Sequence, residues 1–589
     1  MNEIFLAVVE RNLPRVMSYE RDGRWRDVSA HELYTRVLHT ARQLQQWGIR
    51  KGDRVALIAE NRMEWAITDW ACLCLGIVDV PIYPTLLADQ TGFILKNSGA
   101  RAVFVSTQKQ LEKVLVAKQG TAVEQIVVMD DVDHSGAARM STIMAPEQPG
   151  ERDKNFEAIV RSIVPQDLAT IIYTSGTTGI PKGVMLTHEN LTSNLTQTSV
   201  SLHWKPEHIS LSFLPLSHVT ARHVDYLCVL HGVTLAYCPA FDQLPRMLQE
   251  VHPHLFVSVP RVYEKVRQET ERKTSTGVKN RIYRWAMRVG RAHRDEILRC
   301  EVPTSWQWKL ANLLVFRKIS EFFGGRVLMY LSGGAPLGLD LAQWFADIGI
   351  LILEGYGLTE TSPVIAVNEV EQHKLGTVGK PLGNIECRIA ADGELLVRGP
   401  SIFKGYWNNP EETAKAFEGD WFKTGDIGSI DADGYLSITD RKKDLLKTSG
   451  GKFIAPQPIE NRLKASPLVG YPVVIGDQRK FASVVISPNF PALEHWAQER
   501  SIPLQSRAEL ILRPEVVALY EQIVADLNTD LAHFETLKKV LLVPDEFTVD
   551  TGEITPTLKL RRRTIEQKYR AQIDALYATS APVSEPAKA

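Results

Sequence analysis

Two hydrophobic periods alternate along the chain. Over 27–50, Leu33, Val37, Leu38, Ala41 and Leu44 recur at helical spacing and stop at Gly48, which predicts an amphipathic helix. Lys51-Gly52-Asp53 then turns into an apolar run over 55–59 that reads as a strand. A helix over about 63–76, a strand over 78–83, a helix over about 87–97 and a strand over 102–105 follow. Strands alternating with helices of this length predict a parallel sheet covered by helices. Residues 130–156 are polar, contain Pro and Gly, and lack an apolar period, so they predict a loose surface excursion. The core pattern resumes at Leu168, runs through a strand–helix series over 210–261, and returns at 324–331.

From about 376 the texture changes to short alternating strands separated by Asp392-Gly393 and Asp433-Gly434 turns. A dense charge cluster, Asp440-Arg441-Lys442-Lys443-Asp444, marks a boundary. The architecture expected is α/β. A large N-terminal domain over 1–440 holds helix-covered, mostly parallel sheets and a small β-barrel-like region at about 376–440. A smaller α+β C-terminal domain covers 441–578, and 579–589 form a disordered Ala/Pro/Ser-rich tail.

Composition narrows the function classes. A chain of 589 residues exceeds a single core, and 44% hydrophobic with 23% charged residues describes an ordinary globular protein. A net charge of −1 gives no global attraction to nucleic acid or anionic membrane. Six cysteines lack zinc spacing and fit a reducing compartment. The N-terminus shows no signal-peptide pattern, and the most apolar stretch, 65–83, is interrupted by Asp69 and Asp79, so a cytoplasmic protein is expected. One segment departs from this balance: 265–299 carries eleven Lys/Arg against four Asp/Glu. There Arg281, Arg284, Arg288 and Arg291 share one helical face, with Ile282, Trp285, Ala286 and Val289 largely opposite. The segment reads either as a solvated helix face or as a basic surface for peripheral membrane contact.

The chemistry gathers at strand ends. Tyr173-Thr174-Ser175-Gly176-Thr177-Thr178-Gly179-Ile180-Pro181-Lys182-Gly183-Val184 follows the apolar run 168–172. Glycines let backbone N–H groups approach an anion, hydroxyls add donors, and Lys182 adds a point charge, so the loop suits a polyphosphate. It is not a Walker A loop, in which the lysine follows Gly and precedes Ser or Thr. Glu354-Gly355-Tyr356-Gly357-Leu358-Thr359-Glu360-Thr361-Ser362-Pro363 places a carboxylate beside hydroxyls, as Mg²⁺ bound to phosphate oxygens requires. Ser332-Gly333-Gly334-Ala335-Pro336 would let a ring approach the backbone. Trp421-Phe422-Lys423-Thr424-Gly425-Asp426 puts a carboxylate at a turn, where it would suit a ribose diol.

In this order, the phosphate-type loop, the Gly-Tyr-Gly-Leu-Thr-Glu motif, the Thr-Gly-Asp turn and the Asp-Arg-Lys-Lys-Asp cluster resemble the AMP-forming adenylating superfamily, which includes acyl-CoA synthetases, luciferases and nonribosomal-peptide adenylation domains. The resemblance spans roughly 26–563. It implies a phosphate loop of Thr174, Ser175, Gly176, Thr177, Thr178, Gly179 and Lys182, and an adenine frame of Gly334, Ala335, Pro336 and Tyr356, with Gly357 also among the cofactor-binding residues. It also implies Thr359 at the α-phosphate, Glu360 at Mg²⁺, and Asp426 and Arg441 at the ribose. Lys443 matches the hinge of a mobile small domain, and Gly450 and Gly451 match the turn that faces the site during thioester formation. Gly552-Glu553-Ile554-Thr555-Pro556-Thr557-Leu558-Lys559-Leu560 looks like the family's last motif, with Lys559 as the catalytic lysine. Most relatives have Ser-Gly-Lys there, and the form found here resembles the long-chain fatty acyl-CoA synthetase branch. Leu214-Pro215-Leu216-Ser217-His218-Val219 matches the motif at the carboxylate pocket, with His218 beside it. The aromatic gate that some long-chain members carry shortly afterwards is replaced by Thr220-Ala221-Arg222-His223.

The activity so implied takes a fatty acid, ATP with Mg²⁺, and coenzyme A to acyl-CoA, AMP and pyrophosphate. Lys559, Glu360, Thr174 and Lys182 would serve the chemistry. The alternatives are an acyl-AMP ligase that hands its product to a carrier protein, a medium-chain or aryl-CoA ligase, and a catalytically silent binding protein on the same fold. Chain length and oligomeric state are not encoded in any of these motifs.

Overall fold

The computed structural model describes residues 1–144, 152–174, 181–200, 202, 204–449, 452–504, 506–549, 551–555 and 560–578. Of the candidate site residues, Ser175, Gly176, Thr177, Thr178, Gly179, Gly450, Gly451 and Lys559 lie outside the described residues, as does the tail 579–589.

The first predicted helix forms as Ala30–Gln46, started by Ser29, whose hydroxyl accepts the Glu32 N–H at 3.1 Å. The alternation after it builds a seven-stranded sheet, ordered Ala138–Arg139, Gln125–Val128, Ala102–Val105, Arg54–Ile58, Val78–Pro81, Leu168–Thr174, Lys182–Thr187. Its strands are parallel except for the last pair, an antiparallel hairpin whose connection is the glycine-rich loop. A nine-stranded sheet includes Ile352–Gly357, Met329–Ser332, Leu255–Ser258, Ile209–Ser212, Thr234–Tyr237 and Met17–Arg21 as adjacent parallel strands. One large core contains residues of both sheets, of helices Asn2–Glu10 and Met63–Leu75, and of helix Val219–His231. The strand ends that carry the motifs thus open toward one region, as expected of parallel α/β sheets.

Two expectations are corrected. The stretch 130–156 is not wholly an excursion: Ala138–Arg139 extends the seven-stranded sheet, Met140 and Ile143 are buried, and helix Lys154–Arg161 starts within it. Its described apolar residues are too few to show a period, yet Ala138, Met140, Ile143 and Phe156 land on the core. The region 376–440 is not all-β either. Around the antiparallel strands Glu386–Ile389, Glu394–Arg398, Trp421–Ile430 and Leu436–Arg441 it also holds helix Pro410–Ala416, set by Pro410 in its first turn and by Asn409, whose side chain accepts the Glu412 N–H at 3.2 Å.

After Arg441 the chain forms a separate three-stranded sheet, Val469–Ile475, Ala482–Pro488 and Leu537–Leu542, covered by helices Pro456–Leu463 and Pro514–Asn528. The apolar stretch 65–83 is a buried helix, Met63–Leu75, and a strand, Val78–Pro81. Among the described residues no helix is long and apolar enough to cross a membrane.

One buried ion cluster joins these layers. Arg222, on helix Val219–His231, lies 2.7 Å from Asp69 and 2.8 Å from Asp79, and all three are buried. It also donates to the Thr170 hydroxyl at 2.9 Å and to the Tyr226 hydroxyl at 2.6 Å. Burial opposes the guanidinium's charge, but the two carboxylates outweigh it and hold the group protonated. Removing the cation while keeping the carboxylates strands buried negative charge. Arg222→Met is therefore expected to lower the unfolding free energy by about 3–5 kcal/mol. Urea titration measures this, and a change within about 0.5 kcal/mol would place Arg222 among ordinary surface substitutions and refute the assignment.

Candidate active site

A cavity of about 1780 Å³ opens where the sheets, the 376–440 region and the C-terminal unit meet. Every described candidate lines it: Thr174, Lys182, His218, Gly334, Ala335, Pro336, Tyr356, Gly357, Thr359, Glu360, Asp426, Arg441 and Lys443. Residues separated by hundreds of positions therefore share one wall.

Thr174 ends one strand of the loop hairpin and Lys182 begins the next, paired opposite each other. Past Lys182 the backbone is clamped. A Cβ on Gly183 would lie 2.8 Å from Ile171 Cγ2, 3.1 Å from Tyr173 Cζ and 3.2 Å from Trp407 Cβ, so only glycine fits. The clamp comes from 404–407: Trp407 N–H donates to the Gly183 carbonyl at 2.7 Å, Met185 N–H to Gly405 at 3.1 Å, and Lys404 N–H to Met185 at 3.1 Å.

The same crossing segment holds the two charged groups. Tyr406 donates its hydroxyl proton to Glu360 Oε1 at 2.9 Å, and Lys182 Nζ stands 5.2 Å from the centre of the Tyr406 ring. Lys182 pairs with Glu412, and Lys415 approaches the same carboxylate at 2.8 Å. These two lysines pull Glu412 down to about 2, while burial pushes Glu360 up. A half-buried carboxylate raised in this way favours a nearby cation.

Across the cavity, Tyr356 donates to Asp426 Oδ2 at 2.6 Å, and Arg441 Nε lies 3.2 Å from Asp426 Oδ1. Asp426 and Arg441 are register partners on neighbouring antiparallel strands, which explains how a turn residue and a distant charge cluster meet. Asp440, beside Arg441, accepts the Gln457 N–H at 3.0 Å, and burial raises it to about 6. Burial lowers Lys443. His218 caps helix Val219–His231, its Nδ1 accepting the Thr220 N–H at 3.2 Å.

Sequence reasoning missed Tyr406, Glu412 and Glu354 as site residues. Tyr406 and Glu412 belong to a stretch that reads only as aromatic residues before an Asn-Pro helix start, and the long-range pairing with 183–185 leaves no periodic signal. Glu354 was visible as the residue before Gly355-Tyr356. It accepts the Leu337 N–H at 3.1 Å, linking the end of strand Ile352–Gly357 to the turn after Pro336.

Known proteins resemble the chain over nearly its whole length. A family model described as "AMP-binding enzyme" matches residues 7–407, and one described as "AMP-binding enzyme C-terminal domain" matches 443–581. The chain belongs to the AMP-binding enzyme family. It is 37% identical over 583 residues to the long-chain-fatty-acid–CoA ligase FadD15 of Mycobacterium tuberculosis, covering 96% of this chain and 95% of that one. It is 32% identical to the peroxisomal long chain acyl-CoA synthetase 7 of Arabidopsis thaliana, covering 90% and 79%. Among solved structures, the adenylation domain of a carboxylate reductase from Mycobacterium chelonae superposes with a TM-score of 0.74 at 23% identity, covering 98% of this chain and 91% of that one, a likeness of fold.

Glu354 generates a pH test. Burial raises its carboxyl from the ordinary 4.5 to about 7. The folded protein thus binds this proton more tightly than the unfolded chain does, so the stabilisation is full below 4.5 and is lost as pH rises through about 7. Glu354→Gln should remove that loss, gaining on the order of 2–3 kcal/mol relative to the parent at pH 8 over pH 4. Unfolding titrations of both proteins at the two pH values check it, and parallel curves would refute the assignment.

Proposed function

We propose that this protein activates long-chain fatty acids, forming an acyl-adenylate from the acid and ATP with release of pyrophosphate, and then passing the acyl group to coenzyme A. The convergence of Lys182, Glu360 and the Tyr356–Asp426–Arg441 group on one cavity carries this reading, in a chain whose full-length relatives include a long-chain-fatty-acid–CoA ligase.

In the first step a carboxylate oxygen attacks the α-phosphorus and the bond to pyrophosphate breaks. The protein's work is to align the reactants and offset growing negative charge. Lys182 and the loop containing Thr174, Ser175, Gly176, Thr177, Thr178 and Gly179 hold the phosphates, and Thr359 contacts the α-phosphate. The flat face of Tyr356, which lines the cavity together with Gly357 and the Gly334-Ala335-Pro336 turn, takes the adenine. Asp426 and Arg441 take the ribose hydroxyls, and His218 borders the carboxylate pocket. Mg²⁺ fits at Glu360, since one carboxylate completed by phosphate oxygens suits this ion, and it would neutralise charge on the departing pyrophosphate. Lys559 bridges the substrate carboxylate and the α-phosphate.

For the second step, the C-terminal unit beyond Lys443 swings about that residue, leaving Arg441 on Asp426, withdrawing Lys559 and bringing Gly450 and Gly451 to the site. The coenzyme A thiol then displaces AMP from the mixed anhydride. The six cysteines take no part. Four are buried, and burial raises the thiols of Cys72, Cys74, Cys228 and Cys238.

Product mass spectrometry with MgATP, coenzyme A and straight-chain acids from acetate to oleate tests the whole reading. Acyl-CoA and AMP should form with a maximum at long chains. Acyl-adenylate without acyl-CoA would transfer the proposal to a carrier-protein ligase. Lys559→Ala separates the steps. Adenylation should fall by roughly 10²–10³, while thioester formation from supplied acyl-adenylate is spared. Equal loss of both half-reactions would refute that division.

A further inference from the structure

The helix pair after the nine-stranded sheet's strand Leu255–Ser258 has an outer face that catalysis does not use. Helix Gly277–Leu298 folds back at 299–305 onto a helical segment made of Trp306–Ala311, a single π turn Asn312–Phe316, and Arg317–Phe322. The return is fixed by His293, whose Nε2 lies 2.8 Å from the Ser305 hydroxyl and whose ring meets Trp308 edge-on at 5.7 Å. On the inner side, Trp308, Ala311, Val315, Phe316 and Ile319 are buried in the core. Helix Gly277–Leu298 is seated as firmly, because a Cβ on Gly290 would lie 1.9 Å from the Asp347 carbonyl oxygen.

The outer side is the reverse of a normal surface helix. Trp306 is 70% exposed and Leu313 60%, with Leu310 and Leu314 beside them at helical spacing, and Val302, 82% exposed, precedes them. Isolated exposed leucines need no explanation, but a row of them with a tryptophan marks an interaction surface. No acidic residue occurs between 302 and 320, nor between 272 and 294 on the neighbouring helix.

The charges complete the pattern. Lys279, Arg281, Arg284 and Arg288 on the first helix, and Lys309 and Lys318 on the second, are exposed and have no carboxylate within ion-pair reach among the described residues. Most other arginines of the large sheets' surfaces do have one, as Arg101 and Arg246 show. Nearby acids are committed elsewhere: Asp347 to Arg294 at 2.6 Å and Glu321 to Arg317 at 3.0 Å. Cations left without partners beside apolar anchors match a surface that is anionic on the outside and apolar beneath.

We propose that this face docks on an anionic lipid bilayer, with Trp306, Leu310 and Leu313 entering the headgroup region and the unpaired Arg and Lys side chains resting on lipid phosphates. The inference is independent of the catalytic reading. It also assigns the basic segment of 265–299 to one side of a larger surface whose anchors lie outside that segment.

Sedimentation of the full chain with phosphatidylcholine vesicles, with and without phosphatidylglycerol, tests it. Binding should require phosphatidylglycerol and weaken at high salt. The double variant Trp306→Ser, Leu313→Ser should lower the partition constant at least tenfold with an unchanged thermal unfolding midpoint, since both side chains are exposed. The triple variant Arg281→Ala, Arg284→Ala, Arg288→Ala should abolish the salt dependence. Absence of binding to phosphatidylglycerol vesicles at low salt would overturn the proposal, as would equal binding by both variants. Self-association of the parent in sedimentation velocity, lost in the double variant and without vesicle binding, would reassign the face to a second copy of the chain.

Discussion

A guanidinium fully removed from water holds the two large sheets together. Arg222 stands on the helix that follows the nine-stranded sheet's strand Ile209–Ser212, yet its partners belong to the other sheet and its covering helix: Asp69, Asp79 and Thr170. Burying a charge is so unfavourable that the site must supply every donor with an acceptor, which fixes geometry as well as sign. Thr170 is four residues before Thr174, and Arg222 is four residues after His218. The cluster therefore sets the distance between the strand that delivers the glycine-rich loop and the helix whose cap, His218, lines the cavity. The site's two ends are spaced by a core interaction that lies outside the cavity.

The segment 403–412 plays a comparable part on the open side. Its backbone pairs with 183–185, its Phe403 N–H donates to the Glu360 carbonyl at 2.8 Å, and Tyr406 and Glu412 hold the Glu360 and Lys182 side chains. A lysine and a glutamate from distant parts of the chain thus keep fixed positions because one crossing segment braces both. Three aromatic rings behind it, Phe403, Phe417 and Phe422, pack with centroids 5.2 to 5.7 Å apart and make the brace rigid.

Much of this was legible in the chain itself. Strand–helix alternation over 55–105 gave the parallel sheet, because a buried parallel strand needs an uninterrupted apolar run. The motifs at 173–184, 354–363 and 421–426 were legible because a strand end that must approach a ligand leaves glycines and hydroxyls in sequence. What escaped was non-local. Arg222 registered only as the residue standing where an aromatic gate was sought, since its meaning depends on Asp69 and Asp79, some 150 positions away. Tyr406 and Glu412 escaped for the same reason. The outer face of 302–318 escaped because its apolar spacing is that of a core helix, and only exposure tells the two apart.

The site's ion pairs also differ in how readily they can be exchanged. Asp426 is almost wholly buried and is bonded by Tyr356 at one oxygen and by Arg441 at the other, so losing either partner would leave a buried carboxylate oxygen unpaired. A ligand hydroxyl meeting that group has to add to the existing bonds, not replace them. Lys182 is different. Its partner Glu412 retains Lys415 at 2.8 Å and contact with water, so the carboxylate stays compensated when the lysine turns to another anion. One side of the cavity is therefore a fixed receptor and the other a replaceable counterion. That asymmetry is what the proposed reaction would call for, since the nucleoside end of ATP stays put while its phosphate end is cleaved and released.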